Sequence, residues 1–417
     1  MQWTRREFLG LTAALGLPSA PSLFLRAAES AGRDGGDSVL VVLQLSGGND
    51  GLNTVIPFEE KAYLDSRPTL AIRKGDALPL GEAGAGGAAS ANHGGPGADS
   101  LGFHPRMPAL QKLYREGKIA IVQGVGYPNP SRSHFRSMDI WHTARPDRED
   151  LARGWLGDVF SRHRDSVRGL NVGEEKLPLA LQGEVQIPTL QNLDWVDYLA
   201  TSRGADLRAR LHRLHARSRD GQVEQVRSLA SATLSELERI IELRNRPVPV
   251  VYPDFRLAQK LKWVGQLIGG GFPSRVYYLT LGGFDTHAQQ KDGHAYLMGE
   301  LSDSLAAFQR HLEALKASTR VNTLVFSEFG RRVKENGSLG TDHGCAAPLF
   351  LVSEMVRGGL YGAHPRFDNL DDGDLRFGID FRRVYATVLQ RVLKVDPEPV
   401  LGGRFESLQL YSRQSRV

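Results

Sequence analysis

Several carboxylate and imidazole side chains follow closely after apolar runs of the sequence. They are Asp50, Asp285, His287, Glu328, Asp342 and His343. Oxygen and imidazole ligands together suit divalent ions such as Zn, Mn or, with more oxygens, Ca. One or two such ions can clamp the oxygens of an ester during a displacement, so these residue types point to hydrolysis of a phosphate or sulfate ester.

Each of these residues also has a plain structural interpretation. Asp50 lies in the loop Ser-Gly-Gly-Asn-Asp-Gly and could be a turn residue, and Asp342 could cap a helix. Convergence after three separate strands favours a shared site over those interpretations. Asn49, beside Asp50, is then a candidate substrate-binding residue.

Candidate nucleophiles lie in the segment 130–136, Pro-Ser-Arg-Ser-His-Phe-Arg. A serine at a helix N-terminus lies near the positive end of the dipole, where free backbone N–H groups can hold an anion. Ser133, with His134 adjacent, is favoured over Ser131, which could be only an N-cap. Arg132 and Arg136 are candidate oxyanion ligands, because guanidinium groups match phosphate and sulfate. A capped and solvated helix start is the alternative.

The elements that must position these residues are visible as apolar patterns. Strands are predicted at 39–45, 118–125, 275–281, 321–326 and near 349–352, and helices at 107–116 and about 294–317. Near-continuous Val and Leu runs are typical of strands buried on both faces of a parallel sheet. We therefore predict an α/β fold with a doubly wound, mainly parallel sheet flanked by helices, whose ligands bind beyond the carboxyl ends of the strands.

Two stretches interrupt this alternation. Residues 81–102 are rich in Gly, Ala, Ser and Asn, which indicates a flexible surface loop. Residues from about 205 to 246 have helical spacing and are followed by further strand patterns. They are therefore predicted to be a helical insertion within one domain that spans 38–417.

The first 31 residues have the pattern of a twin-arginine type signal peptide. Arg5 and Arg6 precede an apolar stretch, 11–25, that Pro18 and Pro21 interrupt. This stretch is shorter than the roughly 20 apolar residues of a membrane-spanning helix. We expect export by the twin-arginine machinery to the periplasm or the extracellular space, with no stable membrane span. A frayed cytoplasmic N-terminus is the alternative.

The composition excludes several other classes of protein. Hydrophobic residues make up 41% of the chain and charged residues 24%, which is the ordinary globular range. The isoelectric point of about 9.2 comes from arginines spread along the chain, so nucleic-acid binding is not expected. Cys345 is the single cysteine, which excludes an intramolecular disulfide and is typical of a small core residue.

Five stretches resemble the bacterial domain-of-unknown-function family number 1501, whose activity is uncharacterised. They are LQLSGGNDGLNTVIP (43–57), QGVGYPNPSRSHFRSMDIW (123–141), LGGFDTHAQQ (281–290), FSEFGRR (326–332) and GTDHGCAAPLFLV (340–352). More remotely, the order of these motifs is similar to that of the alkaline phosphatase and sulfatase superfamily. Its members bind two metal ions and an ester.

The remote resemblance implies roles for the candidate ligands. Asp50 matches the superfamily's first aspartate, Asp285 with His287 its middle pair, and His343 its final histidine. Two departures stand out: the middle pair has one intervening residue instead of three, and Glu328-Phe329 replaces an Asp-His. The resemblance implies a metal-dependent hydrolase of a small anionic ester. Loss of that imidazole favours the alternative, a non-catalytic envelope protein of the same fold that binds a partner or polysaccharide.

Overall fold

The computed structural model describes residues 37–81, 98–149, 152–164, 166–173, 176–190, 198–199, 201–215, 235 and 237–411. The predicted signal peptide lies outside the described residues. So do most of the predicted surface loop, 82–97, and the middle of the predicted insertion, 216–234.

The strands of the described residues form one large sheet and two small ones. They are β1 (Val39–Leu45), β2 (Val55–Ile56), β3 (Leu78–Pro79), β4 (Gly102–Phe103), β5 (Ile119–Gly126), β6 (Gly169–Val172), β7 (Thr189–Leu190), β8 (Val276–Leu281), β9 (Val321–Ser327), β10 (Ala347–Val352), β11 (Gly359–Tyr361), β12 (Leu370–Asp371), β13 (Asp374–Leu375) and β14 (Ile379–Asp380). The large sheet has the order β11-β5-β10-β9-β1-β8-β6-β7, and β14 also pairs with β5.

The large sheet is parallel except at one strand. β10 runs antiparallel to both of its neighbours, β5 and β9, while every other pair in the sheet is parallel. The mainly parallel sheet is therefore confirmed. The small sheets are β2-β4-β3 and the antiparallel pair β12-β13.

Helices cover the large sheet. They are α1 (Gly51–Thr54), α2 (Lys61–Ser66), α3 (Pro108–Arg115), α4 (His134–Thr143), α5 (Trp155–Arg162), α6 (Ser202–His215), α7 (Arg256–Gly269), α8 (Gln290–Ala314), α9 (Phe381–Val388) and α10 (Pro397–Leu401), together with helical residues 237–244 and short turns at Ala98–Ser100, Leu179–Leu181 and Leu389–Leu393. No helix of the described residues is both long and apolar enough to span a bilayer.

Alternate residues of β1 point to the two faces of the sheet, and each face has its own core. Leu43 packs in a core with Leu305 of α8, to which α3 and α7 also contribute. Val42 packs in a second core with Tyr385 of α9, to which α4 and α5 also contribute. Helices on both faces confirm the doubly wound α/β fold.

The predicted elements are found close to their expected bounds. All five predicted strands are present, and the helix predicted at 107–116 is α3. The helix predicted at about 294–317 is α8, which ends three residues earlier because Leu315 is its C-cap and Lys316 has a φ of 55°. In the predicted insertion, the described residues 202–215 and 237–244 are helical, and Leu237 and Ile241 join the core of β1 and α8.

The loop that follows β1 needs glycine at two positions because neighbouring segments approach it closely. A Cβ atom on Gly47 would lie 2.4 Å from the backbone nitrogen of Asp285, and one on Gly48 would lie 2.2 Å from the ring of Phe329. Both glycines have positive φ, 119° and 76°. These contacts hold the segments after β1, β8 and β9 against one another.

Gly48→Ala should therefore destabilise the protein, by about 1–3 kcal/mol, because a Cβ would clash with the Phe329 ring and strain a positive φ. Gly293→Ala is the matched control: Gly293 lies in α8 with open space around it, and alanine is the better helix former by about 0.5–1 kcal/mol. Chemical denaturation of both variants measures the difference. Equal stability of the two variants would contradict this account of the loop.

Candidate metal centre

The strands β9, β1 and β8 end at the same level of the sheet. Leu45, the last residue of β1, pairs with Leu281 of β8 on one side and Ser327 of β9 on the other. The chain segments that leave these three parallel strands therefore begin side by side. The candidate ligands were predicted to lie at this edge of the sheet, beyond the carboxyl ends of the strands.

Beyond this edge, three histidines converge on one carboxylate oxygen. Asp285 Oδ1 lies 3.1 Å from Nε2 of His287, 3.2 Å from Nε2 of His343 and 3.3 Å from Nε2 of His134. The Nε2 atoms of His287 and His343 are 2.8 Å apart. These four residues are called the histidine–aspartate cluster below. His134, Asp285 and His343 by themselves form a group spaced to hold a metal ion.

Each histidine of the cluster has an acceptor at its other ring nitrogen. Nδ1 faces Glu328 Oε1 in His134 (3.0 Å), Asp342 Oδ1 in His287 (3.2 Å) and the carbonyl oxygen of Arg132 in His343 (2.7 Å). In the tautomer with the proton on Nδ1, each of these acceptors receives a hydrogen bond and the lone pair is on Nε2. The three lone pairs then point towards Asp285, as a cation bound there would require.

Arg331 is a buried side chain that holds the carboxylate of Asp285 in place. Its guanidinium donates to Asp285 Oδ1 at 2.8 Å and to the carbonyl oxygens of Gly48 and Thr341, both at 2.7 Å. Burial by itself would raise the pKa of Asp285, but the hydrogen bond and charge of Arg331 lower it well below its ordinary value. Asp285 is thus an anion at neutral pH.

Arg331 is a functional residue that was not predicted from the sequence. The available signal was its position in FSEFGRR, four residues after the end of β9, in the same motif as Glu328. An arginine there is ordinarily a solvated side chain. Only the structure shows that its side chain has no solvent exposure.

Glu328 is buried and contacts the cluster through His134. Its Oε1 accepts from the backbone N–H of Gly47 at 2.8 Å, and its Oε2 accepts from the hydroxyl of Ser327 at 3.0 Å. The hydrogen bond with Glu328 raises the pKa of His134 above its ordinary value. Glu328 thus orients His134 and increases its basicity.

Asp50 lies in a different, fully buried group. Its Oδ2 accepts from Nη1 of Arg67 at 2.6 Å and from the side-chain amide of Gln290, and both partners of the Asp50–Arg67 pair have no solvent exposure. Asn49 is also buried; its amide bonds to the hydroxyl of Thr54 and faces His294. Neither Asp50 nor Asn49 is brought into contact with the cluster.

The segment 131–136 leads into α4, whose first residue is His134. Ser133 is the N-cap residue; it is exposed, and its side chain makes no capping hydrogen bond. The hydroxyl of Ser131 accepts from the backbone N–H of Ser133 at 3.2 Å. Ser133 therefore lies beside the cluster, and Ser131 braces its backbone.

The two candidate oxyanion ligands already have partners. Arg132 forms ion pairs with Asp372 at 3.0 Å and with the buried Asp374 at 2.6 Å. Arg136 donates to the carbonyl oxygens of Pro146 and Arg148. Both guanidinium groups are therefore engaged within the protein.

Asp50→Asn should weaken the fold in a pH-dependent way. Burial would raise the pKa of Asp50, but Arg67 and His294 outweigh it and lower the pKa below its ordinary value. A lowered carboxylate pKa adds stability above about pH 4 that is lost as the pH falls through the folded-state value. Urea unfolding should show Asp50→Asn less stable by about 1.5–3 kcal/mol at pH 7, with the gap narrowing below pH 4. A constant gap would contradict the ion pair.

Residues 272–402 match the model of a family described as "Protein of unknown function (DUF1501)". This range contains the stretches 281–290, 326–332 and 340–352, three of the five on which the resemblance rested. The stretches 43–57 and 123–141 lie outside it. No curated protein matches the chain in sequence.

Solved structures with a similar fold include a sulfatase and an alkaline phosphatase. The PsFucS1 sulfatase from Pseudoalteromonas sp. is 14% identical, with a TM-score of 0.39 over 93% of this chain and 75% of that chain. The C-terminal periplasmic domain of EcEptC from Escherichia coli, in complex with Zn, is 9% identical, with a TM-score of 0.33 over 77% of this chain and 74% of that chain. Alkaline phosphatase from the Antarctic bacterium TAB5 is 11% identical, with a TM-score of 0.32 over 78% of this chain and 95% of that chain.

Because the TM-scores of these solved structures are below 0.5, they assign neither a site nor a reaction to this chain. The family whose motifs the sequence resembles is thus matched over residues 272–402 of the chain.

Proposed function

We propose that this chain is an exported, metal-dependent hydrolase of phosphate or sulfate esters whose metal centre is the histidine–aspartate cluster. The observation that carries the proposal is the convergence of three imidazole Nε2 atoms on Asp285 Oδ1. An arrangement of this kind gathers lone pairs and a negative charge at one point. A divalent ion at that point would bind these groups together.

The donor set fits a divalent ion. Two ligand atoms of a tetrahedral zinc site, each about 2.0–2.2 Å from the ion, are about 3.3 Å apart, and Asp285 Oδ1 lies 3.2 Å from Nε2 of His343 and 3.3 Å from Nε2 of His134. His287 Nε2 is only 2.8 Å from that of His343, so the best-spaced set is His134, Asp285 and His343. The buried Nε2 atom of His134 makes no well-aligned hydrogen bond within the described part of the chain, and its nearest charged neighbour is Asp285 Oδ1 at 3.3 Å. Imidazole donors favour Zn or Mn over Ca, which prefers oxygen ligands.

The residues around the cluster supply the remaining functions of a hydrolase. Glu328, Asp342 and the Arg132 carbonyl hold the imidazoles in orientation, and Arg331 keeps Asp285 ionised. A divalent ion bound there would supply Lewis-acid stabilisation of negative charge on the ester oxygens. Ser133 is the proposed nucleophile, because its hydroxyl is exposed beside His134 and makes no capping bond.

Binding of the ester's anionic group is assigned to backbone N–H groups at the start of α4. The first N–H groups of this ten-residue helix have no acceptor within the helix, and they lie at the positive end of its dipole. Arg132 and Arg136 would have to leave their partners to contribute. Their role as oxyanion ligands therefore stays a prediction from the sequence.

The second candidate function is a non-catalytic envelope protein that binds a partner or a polysaccharide. It is favoured by one observation, the engagement of both Arg132 and Arg136 by groups of the protein itself. A hydrolase of anionic esters ordinarily presents a free cation to its substrate. The two candidates differ in turnover, which can be measured directly.

The test combines metal analysis with a screen of esters. The mature protein, purified without chelator, is analysed by elemental mass spectrometry and assayed with aryl phosphate, phosphodiester and sulfate esters after loading with Zn or Mn. We expect bound metal and metal-dependent turnover of one ester class, reduced strongly in Ser133→Ala. Bound metal without any turnover would favour the binding protein, and absence of metal would refute the metal centre.

Export is proposed from the N-terminal pattern, which suits a protein folded around its metal before transport. Changing Arg5 and Arg6 together to lysine should retain the protein in the cytoplasm, because the twin-arginine machinery reads that pair. Cell fractionation of the parent and of the double variant measures this. Equal amounts of both proteins in the periplasm would contradict export by this route.

A further inference from the structure

We infer that this chain binds one divalent ion and that the guanidinium of Arg67 occupies the position at Asp50 where the remote superfamily binds a second. The inference rests on the metal centre of the proposed function. It concerns the aspartate after β1, which that superfamily uses as a metal ligand. In this chain the residues around that aspartate do not fit an ion.

Arg67 is held by hydrogen bonds at every nitrogen of its guanidinium. Nη1 donates to Asp50 Oδ2 at 2.6 Å and to Asn53 Oδ1 at 2.9 Å, Nε donates to the carbonyl of Val333 at 2.9 Å, and Nη2 donates to the carbonyl of Arg332 at 2.8 Å. An arginine does not lose its charge in a protein. Asp50 therefore already has a permanent, fixed cation as its partner.

The second carboxylate oxygen of Asp50, Oδ1, does not belong to a group of potential metal ligands. Asp50 Oδ1 is buried and has no hydrogen-bond partner within the described residues. The described residues hold one group of three metal-binding side chains, and Asp50 is outside it. Its polar neighbour His294 directs Nε2 to the amide oxygen of Asn49, 3.1 Å away. Within the described residues, an ion at Oδ1 would therefore have Asp50 as its single charged ligand, without the imidazoles that surround Asp285.

Glu328, where the superfamily has another ligand of its second ion, is committed to protein groups. Its Oε1 accepts a hydrogen bond from the N–H of Gly47 and faces Nδ1 of His134. Its Oε2 accepts a hydrogen bond from the hydroxyl of Ser327. Gln290 links the two parts of the site: its amide nitrogen donates to Asp50, while its oxygen accepts from the hydroxyl of Thr341 at 2.6 Å. The Asp50–Arg67 pair thus supports the segment that carries Asp342 and His343 without binding metal.

The experiment counts metal ions. The full chain is stripped of metal, titrated with CoCl₂ while the visible absorption of the cobalt is followed, and separately loaded with ZnCl₂ and desalted for elemental mass spectrometry. The parent, Asp50→Asn and His343→Ala are compared. We expect one equivalent of bound metal per chain in the parent and in Asp50→Asn. His343→Ala should bind less than about a tenth of an equivalent, because it lacks a direct ligand.

The outcomes separate this inference from the proposed function. Two equivalents in the parent, one of which is lost in Asp50→Asn, would overturn the single-ion inference and leave the metal centre standing. No metal in the parent would overturn both. If Asp50→Asn does not fold, the cobalt titration of the parent still tests the inference. Absorption that stops rising at one equivalent of cobalt supports a single ion, and absorption that rises up to two equivalents refutes it.

Discussion

His343→Ala is expected to abolish metal binding and to lower kcat/KM for the preferred ester by about 10³-fold or more. The imidazole of His343 lies between those of His134 and His287, with ring centroids 4.3 and 4.6 Å away, so its loss opens the middle of the cluster. A site that loses a central ligand loses affinity and its Lewis-acid contribution together. Elemental mass spectrometry and steady-state kinetics measure the two effects.

His163→Ala is the matched control for that variant. His163 is the C-cap residue of α5 and is not a member of the cluster, so His163→Ala should keep both metal and activity. Thermal unfolding of the metal-free proteins separates a local loss from misfolding. If metal-free His343→Ala is as stable as the metal-free parent and still binds a full equivalent, His343 is not a ligand.

Arg331→Met is expected to be the most destabilising substitution, at about 3–5 kcal/mol. The guanidinium of Arg331 satisfies the carboxylate of Asp285 and the carbonyl oxygens of Gly47, Gly48, Phe284 and Thr341. Methionine fills a similar volume but leaves those acceptors without donors in a buried place. Chemical denaturation of the metal-free proteins measures the loss.

Arg164→Met provides the comparison with an exposed arginine. Arg164 pairs with Glu184 at the surface, where solvent screens the interaction, so its loss should leave the unfolding midpoint almost unchanged. Arg331→Lys should recover only part of the parent's stability, because an ammonium cannot reach acceptors on several segments at once. Similar effects of Arg331→Met and Arg164→Met would show that Arg331 is not structural.

The fold was largely predictable because its determinants are local in the sequence. The run Val39–Leu45 is apolar at six of seven positions, and such a run is stable only as a strand covered on both faces. Strands of that kind alternate with helices, so the doubly wound sheet follows. The antiparallel direction of β10 did not follow, because its apolar pattern is the same in either direction.

Convergence of six candidate ligands was predicted at one edge of the sheet: Asp50, Asp285, His287, Glu328, Asp342 and His343. The structure brings Asp285, His287 and His343 together, with Asp342 beside His287 and Glu328 beside His134, and places Asp50 in a separate buried group. His134 was expected beside a nucleophile, but its contact with Asp285 was not, because it comes from the segment after β5. That strand is separated from β9 by β10, and nothing local shows how far the segment reaches. The predicted roles of Ser131, Ser133, Arg132 and Arg136 await measurement.

The sequence by itself determined the strands, the edge at which they end and the residue types available there. Tertiary structure decided which charges pair. Asp50 meets Arg67, seventeen positions away, and Asp285 meets Arg331, forty-six away. Pairing of buried charges depends on distances and on exclusion of water, which arise only when separate segments pack together. A pattern of residue types therefore locates a candidate centre, while packing determines which carboxylates and imidazoles lie together.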